Sequence, residues 1–534
     1  MKPFKNEALT DFSLPANRRD MEKALKKVEG RLGREYPMVI GGKKITARET
    51  FTSVCPAEPS RVVGVFPKAD GAVAAQAVET AYRAFQEWRF EPAAQRAACL
   101  FRLATIMRRR RAEFTAWMVF EIGKAWGEAD GEVAQAIEFC EFYGREALRY
   151  AERQPVNEVA GEKNEMVYIP LGVGAVIPPW NFAFAILTGM TVASLVAGNT
   201  VVLKPSSDSP TIAAKFFEAA REAGIPAGVL NLVAGPGSVA GEALVTHPKT
   251  RFIAFTGSKD VGLRINELAA RPAQGQIWIK RTILEMGGKD AIIVASDADL
   301  DDAAAGVTAS AFGFQGQKCT ACSRAIVVAD VYDQFIRKLV PRVEAIRVGP
   351  ATSLENTMGP VVNAAAMRKI LRYIAIGRRE GRLLTGGRRL AGEGLREGFF
   401  LEPTVIADVP PTARIAQEEI FGPVLAVIRA RDYYHALEIA NNTQYGLAGS
   451  VYTRSREKIA LAKAIFHVGN LYFNRRCTGY LVGAHPFGGF NLSGTDSKAG
   501  GRDYLMHFLQ AKSMSEKIVK MKTAKTRKAG SKRR

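Results

Sequence analysis

The stretch FQGQKCTACSR, Phe314 to Arg324, sets Cys319 and Cys322 three positions apart among Gly, Gln and Lys. Three chemistries use cysteines at such a spacing: a metal knuckle, a redox pair, and a nucleophile with a bystander. A structural zinc site needs about four ligands. The chain offers one CxxC, and His247, His435, His467, His485 and His507 show no metal spacing, so no metal is expected. A thioredoxin-like pair belongs near the start of a small βαβ fold, whereas this one lies deep in 534 residues. Two buried thiols packed as small hydrophobes is the bland alternative. A nucleophile asks for more. A thiol with a pKa of about 8.5 is mostly protonated at neutral pH and needs a base, and its carbonyl target needs an oxyanion site. TILEMGGKDAIIV offers the carboxylate of Glu285 ahead of two glycines, and PPWNFA offers the amide of Asn181 in an apolar segment. A buried Asn must find partners, in the structure or in a ligand.

The elements that must position these groups alternate along the chain. Residues 72–150 read as long helices, with the run Arg108–Arg111 on the solvated face of one of them. Residues 151–168 turn polar and extended, a protruding hairpin. Between Leu171 and Leu203 there is no charged residue. Pro178, Pro179, Trp180 and Asn181 interrupt that run, so it reads as buried strand, loop, buried helix and buried strand rather than a membrane span. TIAAKFFEAAREAG is a helix closing on Gly224, and VLNLVAG and RFIAFTG are further strands, each followed by helical pattern. Strand then helix, repeated, argues a doubly wound parallel sheet. A second α/β series starts after Gly287 and carries the CxxC. Ligands of such sheets gather at the carboxyl ends of strands. Three ends bear suitable groups: Lys204 in TVVLKPSS, Gly235 and Gly237 in VLNLVAGPG, and Gly257 in RFIAFTGSKDVG. Bare glycines and a helix N-terminus suit a pyrophosphate, although no GxGxxG follows a strand.

Composition is that of an ordinary globular chain, 47% apolar and 24% charged, with a net charge of +21. The stretch 517–534 holds nine of the Lys and Arg residues and no acid, leaving +12 for the rest. It reads as a disordered basic arm, with weak polyanion contact as its sharper use. Nucleic-acid binding through this arm is the rival function from another class. Six scattered cysteines suit a reducing cytosol, and the N-terminus lacks an apolar h-region, so a cytoplasmic location is expected.

PWNF, VVLKPS, FTGS, EMGGKD, GQKC and EEIFGPV, in this order and spacing, resemble the aldehyde dehydrogenase superfamily over residues 35 to 515. FGFQGQKCTACSRAIV, FHVGNLYFNRRCTG and PFGGFNLSGTDSKAGGRDYL resemble its L-glutamate γ-semialdehyde branch, in the free-standing bacterial form. The resemblance implies an α/β fold: a Rossmann-type dinucleotide-binding domain (1–150 and 169–286), an α/β catalytic domain (287–500) and oligomerisation elements (151–168 and 501–516). It implies at least a dimer, with another semialdehyde such as succinic semialdehyde as the alternative substrate. Cys319 matches the nucleophile and Cys322 the bystander. Asn181 and the Cys319 backbone N–H match the oxyanion donors, and Glu285 the base that activates water. Lys204, Gly235, Gly257, Ser258, Glu419, Phe421 and Trp180 match cofactor contacts. Phe182 and Phe508 match a pair that sandwiches the substrate chain, and Thr320 with the amides of Gly500 and Gly501 match its carboxylate anchor. Two positions depart from the pattern. Ser207 stands where many NAD-using relatives have Glu, which admits NADP beside NAD. Gln135 stands where relatives often carry an acid.

Overall fold

The computed structural model describes residues 3–392 and 394–519. Two seven-stranded sheets organise it. The first contains β1 (Met38–Ile40), β2 (Lys43–Ile45), β3 (Val173–Ile177), β4 (Thr200–Leu203), β5 (Leu230–Leu232), β6 (Thr250–Thr256) and β7 (Arg281–Glu285), in the order β7-β6-β3-β4-β5-β1-β2. β3 to β7 are parallel, and β1 and β2 add an antiparallel hairpin at one edge. The second contains β8 (Ala291–Val294), β9 (Arg324–Val328), β10 (Arg382–Thr385), β11 (Thr404–Ala407), β12 (Val424–Ala430), β13 (Ala448–Tyr452) and β14 (Asn470–Phe473), in the order β10-β11-β12-β9-β8-β13-β14. Only its β10–β11 pair is antiparallel.

The charge-free segment behaves as its pattern predicts. β3 and β4 are buried throughout, and so is the intervening helix Ala185–Val196 apart from the half-buried Ile186, because parallel strands covered on both faces expose no polar side. Helix Gly71–Trp88 opens on Asp70, whose side chain accepts the Val73 N–H. It buries Ala74, Ala77, Val78, Ala81, Phe85 and Trp88 along one stripe. Among the described residues no helix is long and apolar enough to cross a membrane.

Four expectations change. The run Arg108–Arg111 is not the face of one helix. Arg110, at φ −106°, separates helices Ala93–Arg109 and Arg111–Ile122, and the four guanidinium groups pair with Glu7, Glu222, Glu113 and Asp130 among others. Residues 151–168 fold back on themselves at a single antiparallel bridge, Gln154 with Met166, and not as a regular hairpin. Strand Glu162–Pro170 pairs antiparallel with Leu509–Lys517 over nine residues, making a ribbon from distant parts of the chain. The basic arm does not start at 517, since Lys517 completes that ribbon; residues 520–534 lie outside the described residues. Finally, not all of 287–500 stays with the second sheet. After β14 the chain returns to the first core, where Val482 is buried and Tyr480 and Ala499 pack.

Candidate active site

The chain leaves β3 through Pro178-Pro179-Trp180-Asn181, and that loop is fixed from beneath. Lys124 Nζ donates to the Asn181 carbonyl at 2.7 Å and pairs with Glu132. Glu132 Oε2 accepts the amides of Phe184 and Ala185 at 3.0 and 3.1 Å. The ammonium also sits 4.2 Å from the ring centroids of Phe182 and Phe314. Removing either partner of such a buried pair costs about 3–5 kcal/mol, so the loop is firmly set. Asn181 Nδ2 donates to the Gln317 carbonyl at 2.9 Å, two residues before Cys319.

Cys319 is approached through three successive left-handed residues, Phe314 (φ 50°), Gln315 (φ 58°) and Gly316 (φ 65°). Two of them are not glycine, and such strain persists only where neighbours enforce it. Gln315 Nε2 donates to the Pro360 carbonyl at 2.7 Å, and its Oε1 accepts the Gly359 N–H at 3.1 Å. A Cβ at Gly316 would lie 2.3 Å from the Gly422 carbonyl oxygen. Cys319 is partly open, whereas the other five cysteines are buried. Burial first, then the carboxyls of Asp290, Glu419 and Glu285, push its thiol pKa up. Cys322 Sγ faces the Arg324 carbonyl, while Cys477, not singled out by the sequence, donates to the Thr320 carbonyl at 3.3 Å.

A narrow cavity opens beside the thiol, lined by Cys319, Glu285, Tyr143, Tyr480, Phe487 and Tyr504 among others. Glu285 ends β7. Its Oε1 accepts the Ser497 hydroxyl at 2.6 Å, and Oε2 is buried with no partner among the described residues. Burial pushes its pKa up to about 8 against the opposing hydrogen bonds from Ser497. The aromatic wall was not legible as a motif, because its residues are scattered from 139 to 504.

The groups matched to a cofactor line the neighbouring edge. Lys204 Nζ donates to the carbonyls of Pro205 and Gly235, at 2.9 and 3.1 Å, with no carboxylate beside it. Burial lowers its pKa to about 8. Gly257 N–H donates to the Glu285 carbonyl at 3.0 Å, and a Cβ there would lie 2.4 Å from the Phe255 ring. Ser258 precedes helix Lys259–Ala270 without capping it through its side chain, so the first helical amides face outward and suit an anion. Glu419 Oε1 accepts the Gly288 N–H at 2.9 Å, and burial raises its pKa. Phe421, at φ 61°, sets its ring edge-on to Trp180 at 5.5 Å. Ser207 is exposed in the loop after β4. Basic, anion-favouring and hydroxyl-accepting groups therefore follow one another along this edge, and they fit a dinucleotide.

The substrate-side matches are less uniform. Thr320 is buried beside the thiol. Gly500, at φ 74°, donates its N–H to Tyr143 Oη at 2.7 Å, and Gly501 donates to the Lys498 carbonyl at 2.9 Å. Both anchor amides thus have internal partners. Phe182 is half-buried against Lys124. Phe508 is fully buried between Phe252 and Tyr504, at 5.4 and 5.2 Å, and Tyr504 rather than Phe508 lines the cavity. The expected Phe182–Phe508 sandwich is therefore not formed here, since the turn Tyr504–Phe508 points its last ring into the core. Gln135 Nε2 lies 3.5 Å from the Tyr480 carbonyl, at the rim of the same wall.

The sequence model of the aldehyde dehydrogenase family matches residues 44–514. The 1-pyrroline-5-carboxylate dehydrogenase of Geobacillus thermodenitrificans (strain NG80-2) is 56% identical over 516 residues, covering 97% of this chain and 99% of the relative. That of Bacillus cereus (strain B4264) is 53% identical over 515 residues, covering 96% and 99%. A crystal structure of 1-pyrroline-5-carboxylate dehydrogenase from Thermus with bound NAD superposes with a TM-score of 0.95 at 51% identity, covering 97% of this chain and 100% of that one. The chain belongs to the aldehyde dehydrogenase family.

Proposed function

We propose that this chain oxidises L-glutamate γ-semialdehyde, which equilibrates with 1-pyrroline-5-carboxylate, to L-glutamate with NAD as acceptor, the last step of proline breakdown. The observation that carries the chemistry is the convergence of Cys319 and Glu285 in one cavity, with Asn181 fixed against the Cys319 loop. The named substrate is supported by relatives more than half identical over almost their whole length.

In this reading the Cys319 sulfur attacks the aldehyde carbon as its proton passes to base, giving a thiohemiacetal. Asn181 Nδ2 and the Cys319 amide hold the oxygen that gains charge. Such donors are worth about 10²–10³-fold each in turnover. Asn181 Nδ2 carries two N–H donors, and the bond to the Gln317 carbonyl uses one of them. Lys204, Gly257, Ser258, Glu419 and Phe421 would hold NAD, which would supply the acceptor for the hydride that leaves the carbon. The acyl group then remains on sulfur as a thioester, a good leaving arrangement for the second step. Glu285, ionised, takes a proton from water, whose oxygen attacks the thioester. Glutamate leaves and the thiol is restored. Tyr143 ties the anchor loop at Gly500, so a substrate carboxylate reaching that loop exchanges with the Tyr143 hydroxyl. We also place the protein in the cytosol as a homo-oligomer. Six free cysteines, and the ribbon Glu162–Pro170/Leu509–Lys517 with its largely exposed second strand, support this.

The test is nucleotide reduction by the purified protein with pyrroline-5-carboxylate, run in parallel with NAD and NADP against a panel that includes succinic semialdehyde. Turnover highest with pyrroline-5-carboxylate is the expected result. Preference for succinic semialdehyde would overturn the substrate and leave the family chemistry standing.

A further inference from the structure

We propose that Ser497 is the positioning residue of the general base: its hydroxyl holds Glu285 Oε1, which leaves Oε2, without a partner among the described residues, as the oxygen that takes the proton from water. The proposal rests on Glu285 serving as the base in the reading above.

The geometry around Ser497 is built for this contact. The segment Ser493–Ser497 runs antiparallel along the end of β7. Met286 N–H donates to the Ser493 carbonyl at 2.7 Å, Thr495 N–H to the Leu284 carbonyl at 2.9 Å, and Leu284 N–H to Thr495 Oγ1 at 3.0 Å. The approach is so close that a Cβ at Gly494 would lie 2.6 Å from the Leu284 carbonyl oxygen. Asp496 (φ 51°) and Lys498 (φ 54°) are both left-handed on either side of Ser497. Non-glycine residues are held there only where surrounding structure enforces it. Here the paired contortion turns the Ser497 side chain inward, where it is 1% exposed, and brings Oγ to 2.6 Å from Glu285 Oε1. The peptide is pinned from behind as well, since His507 Nε2–H donates to the Ser497 carbonyl at 3.0 Å. The hydroxyl is thus a fixed donor, and one carboxylate oxygen is anchored while the other is left without a partner among the described residues.

A donor to the ionised carboxylate favours the ionised form. The other ionisable groups facing Glu285 are Cys319, Tyr143, Tyr480 and Tyr504 around the cavity and Asp496 behind it. None is a cation, and Asp496 opposes ionisation, so the Ser497 hydroxyl and nearby amides are what draws the base toward its working state.

The experiment compares the wild type with Ser497→Ala, Ser497→Thr and Glu285→Gln in two assays. The first follows the NADH burst and steady state with pyrroline-5-carboxylate. The second follows p-nitrophenyl acetate, which acylates Cys319 by expelling nitrophenolate; water then releases acetate, so neither aldehyde nor nucleotide is needed. Ser497→Ala is expected to keep the burst rate, lower steady-state turnover about tenfold at pH 7.5, and move the acid limb of the pH–turnover profile up by about one unit. Ser497→Thr, which keeps the hydroxyl, restores both. Ser497→Cys, isosteric with a weak donor, gives the same reading if the alanine variant does not fold. An unmoved pH profile in Ser497→Ala, with Glu285→Gln slow in the ester assay, would overturn the role of Ser497 alone. A Glu285→Gln enzyme that still deacylates at the normal rate would overturn the base assignment and the Ser497 role with it. A substrate other than pyrroline-5-carboxylate would leave the ester assay untouched.

Discussion

The two sheets share an architecture and present opposite ends to the cleft. In the first, the groups that face it follow strands: Trp180 and Asn181 after β3, Lys204 at the end of β4, Gly235 beyond β5, Gly257 and Ser258 after β6, and Glu285 closing β7. In the second, they precede strands: Gly288 and Asp290 before β8, Cys319 before β9, Glu419 and Phe421 before β12. The rule that ligands gather at carboxyl ends therefore describes one half of this molecule only. A carboxyl end, with the N-terminus of the following helix, offers outward N–H groups that suit phosphates. The amino-end loops of the second sheet offer a thiol and buried carboxyls instead. The first sheet is equipped to hold the anionic part of a dinucleotide; the second carries the reacting thiol, with Glu419 and Phe421 as its proposed share of the cofactor contacts. Glu285 crosses that division, since it belongs to the holding half by strand and to the reacting half by cavity.

The hardest test of this division is Cys319→Ala. Turnover should fall to the limit of detection, because no other thiol reaches the cavity: Cys322 and Cys477 are buried beneath the loop and do not line it. Nucleotide affinity, followed by Trp fluorescence on titration with NAD, should stay within about twofold, since Cys319 is not among the residues proposed to hold the cofactor. A lost affinity would merge the two halves into one binding unit.

Glu285→Gln sharpens the comparison at the residue that crosses it. Steady-state turnover should drop by about 10²–10⁴-fold, while one equivalent of NADH still forms per active site. The pH dependence follows from the raised pKa. Below about 8 the wild-type carboxyl is largely protonated and cannot accept a proton, so turnover limited by hydrolysis rises with pH through about 8 and then levels. Glu285→Gln should lose that rise. A variant that keeps it would place the titrating base elsewhere.

What the sequence made legible follows the same line. Each loop that faces the cleft is a short contiguous motif, and Cys319, Glu285, Asn181 and Lys204 could be picked out because the chemistry needs those residue types beside glycines or prolines. The supports of these residues could not. Ser497 meets Glu285 from 212 positions away, and Gly500 meets Tyr143 from 357 away. Lys124 and Glu132 look like ordinary helical charges until the fold carries them under Asn181. The alternating strands were readable because buried parallel strands are continuous apolar runs. The ribbon was not, because its strands are far apart in the chain and nothing local fixes a register between them. Phe508 shows the same gap at one residue, since a motif places it in order but not on a face of the turn that carries it.

The mildest perturbation tests the holding half alone. Ser207 lies exposed three residues past Lys204, in the loop that leaves β4. If the adenosine ribose of the dinucleotide rests on Lys204, a carboxylate at 207 accepts its hydroxyls and repels a 2′-phosphate. Asp208 next to it cannot serve, because it is mostly buried with its carboxylate engaged by Asn363 at 3.0 Å. Ser207→Glu should therefore raise KM for NADP about tenfold, a size suited to like charges a few ångströms apart in a partly solvated cleft. KM for NAD should fall a few-fold, with kcat nearly unchanged for both, since a contact made equally in ground and transition states moves KM alone. High salt should shrink the NADP penalty, because an exposed repulsion is screened. A changed kcat would mean that the carboxyl edge of the first sheet reaches into the chemistry, and the separation of holding from reacting would fail at its outermost residue.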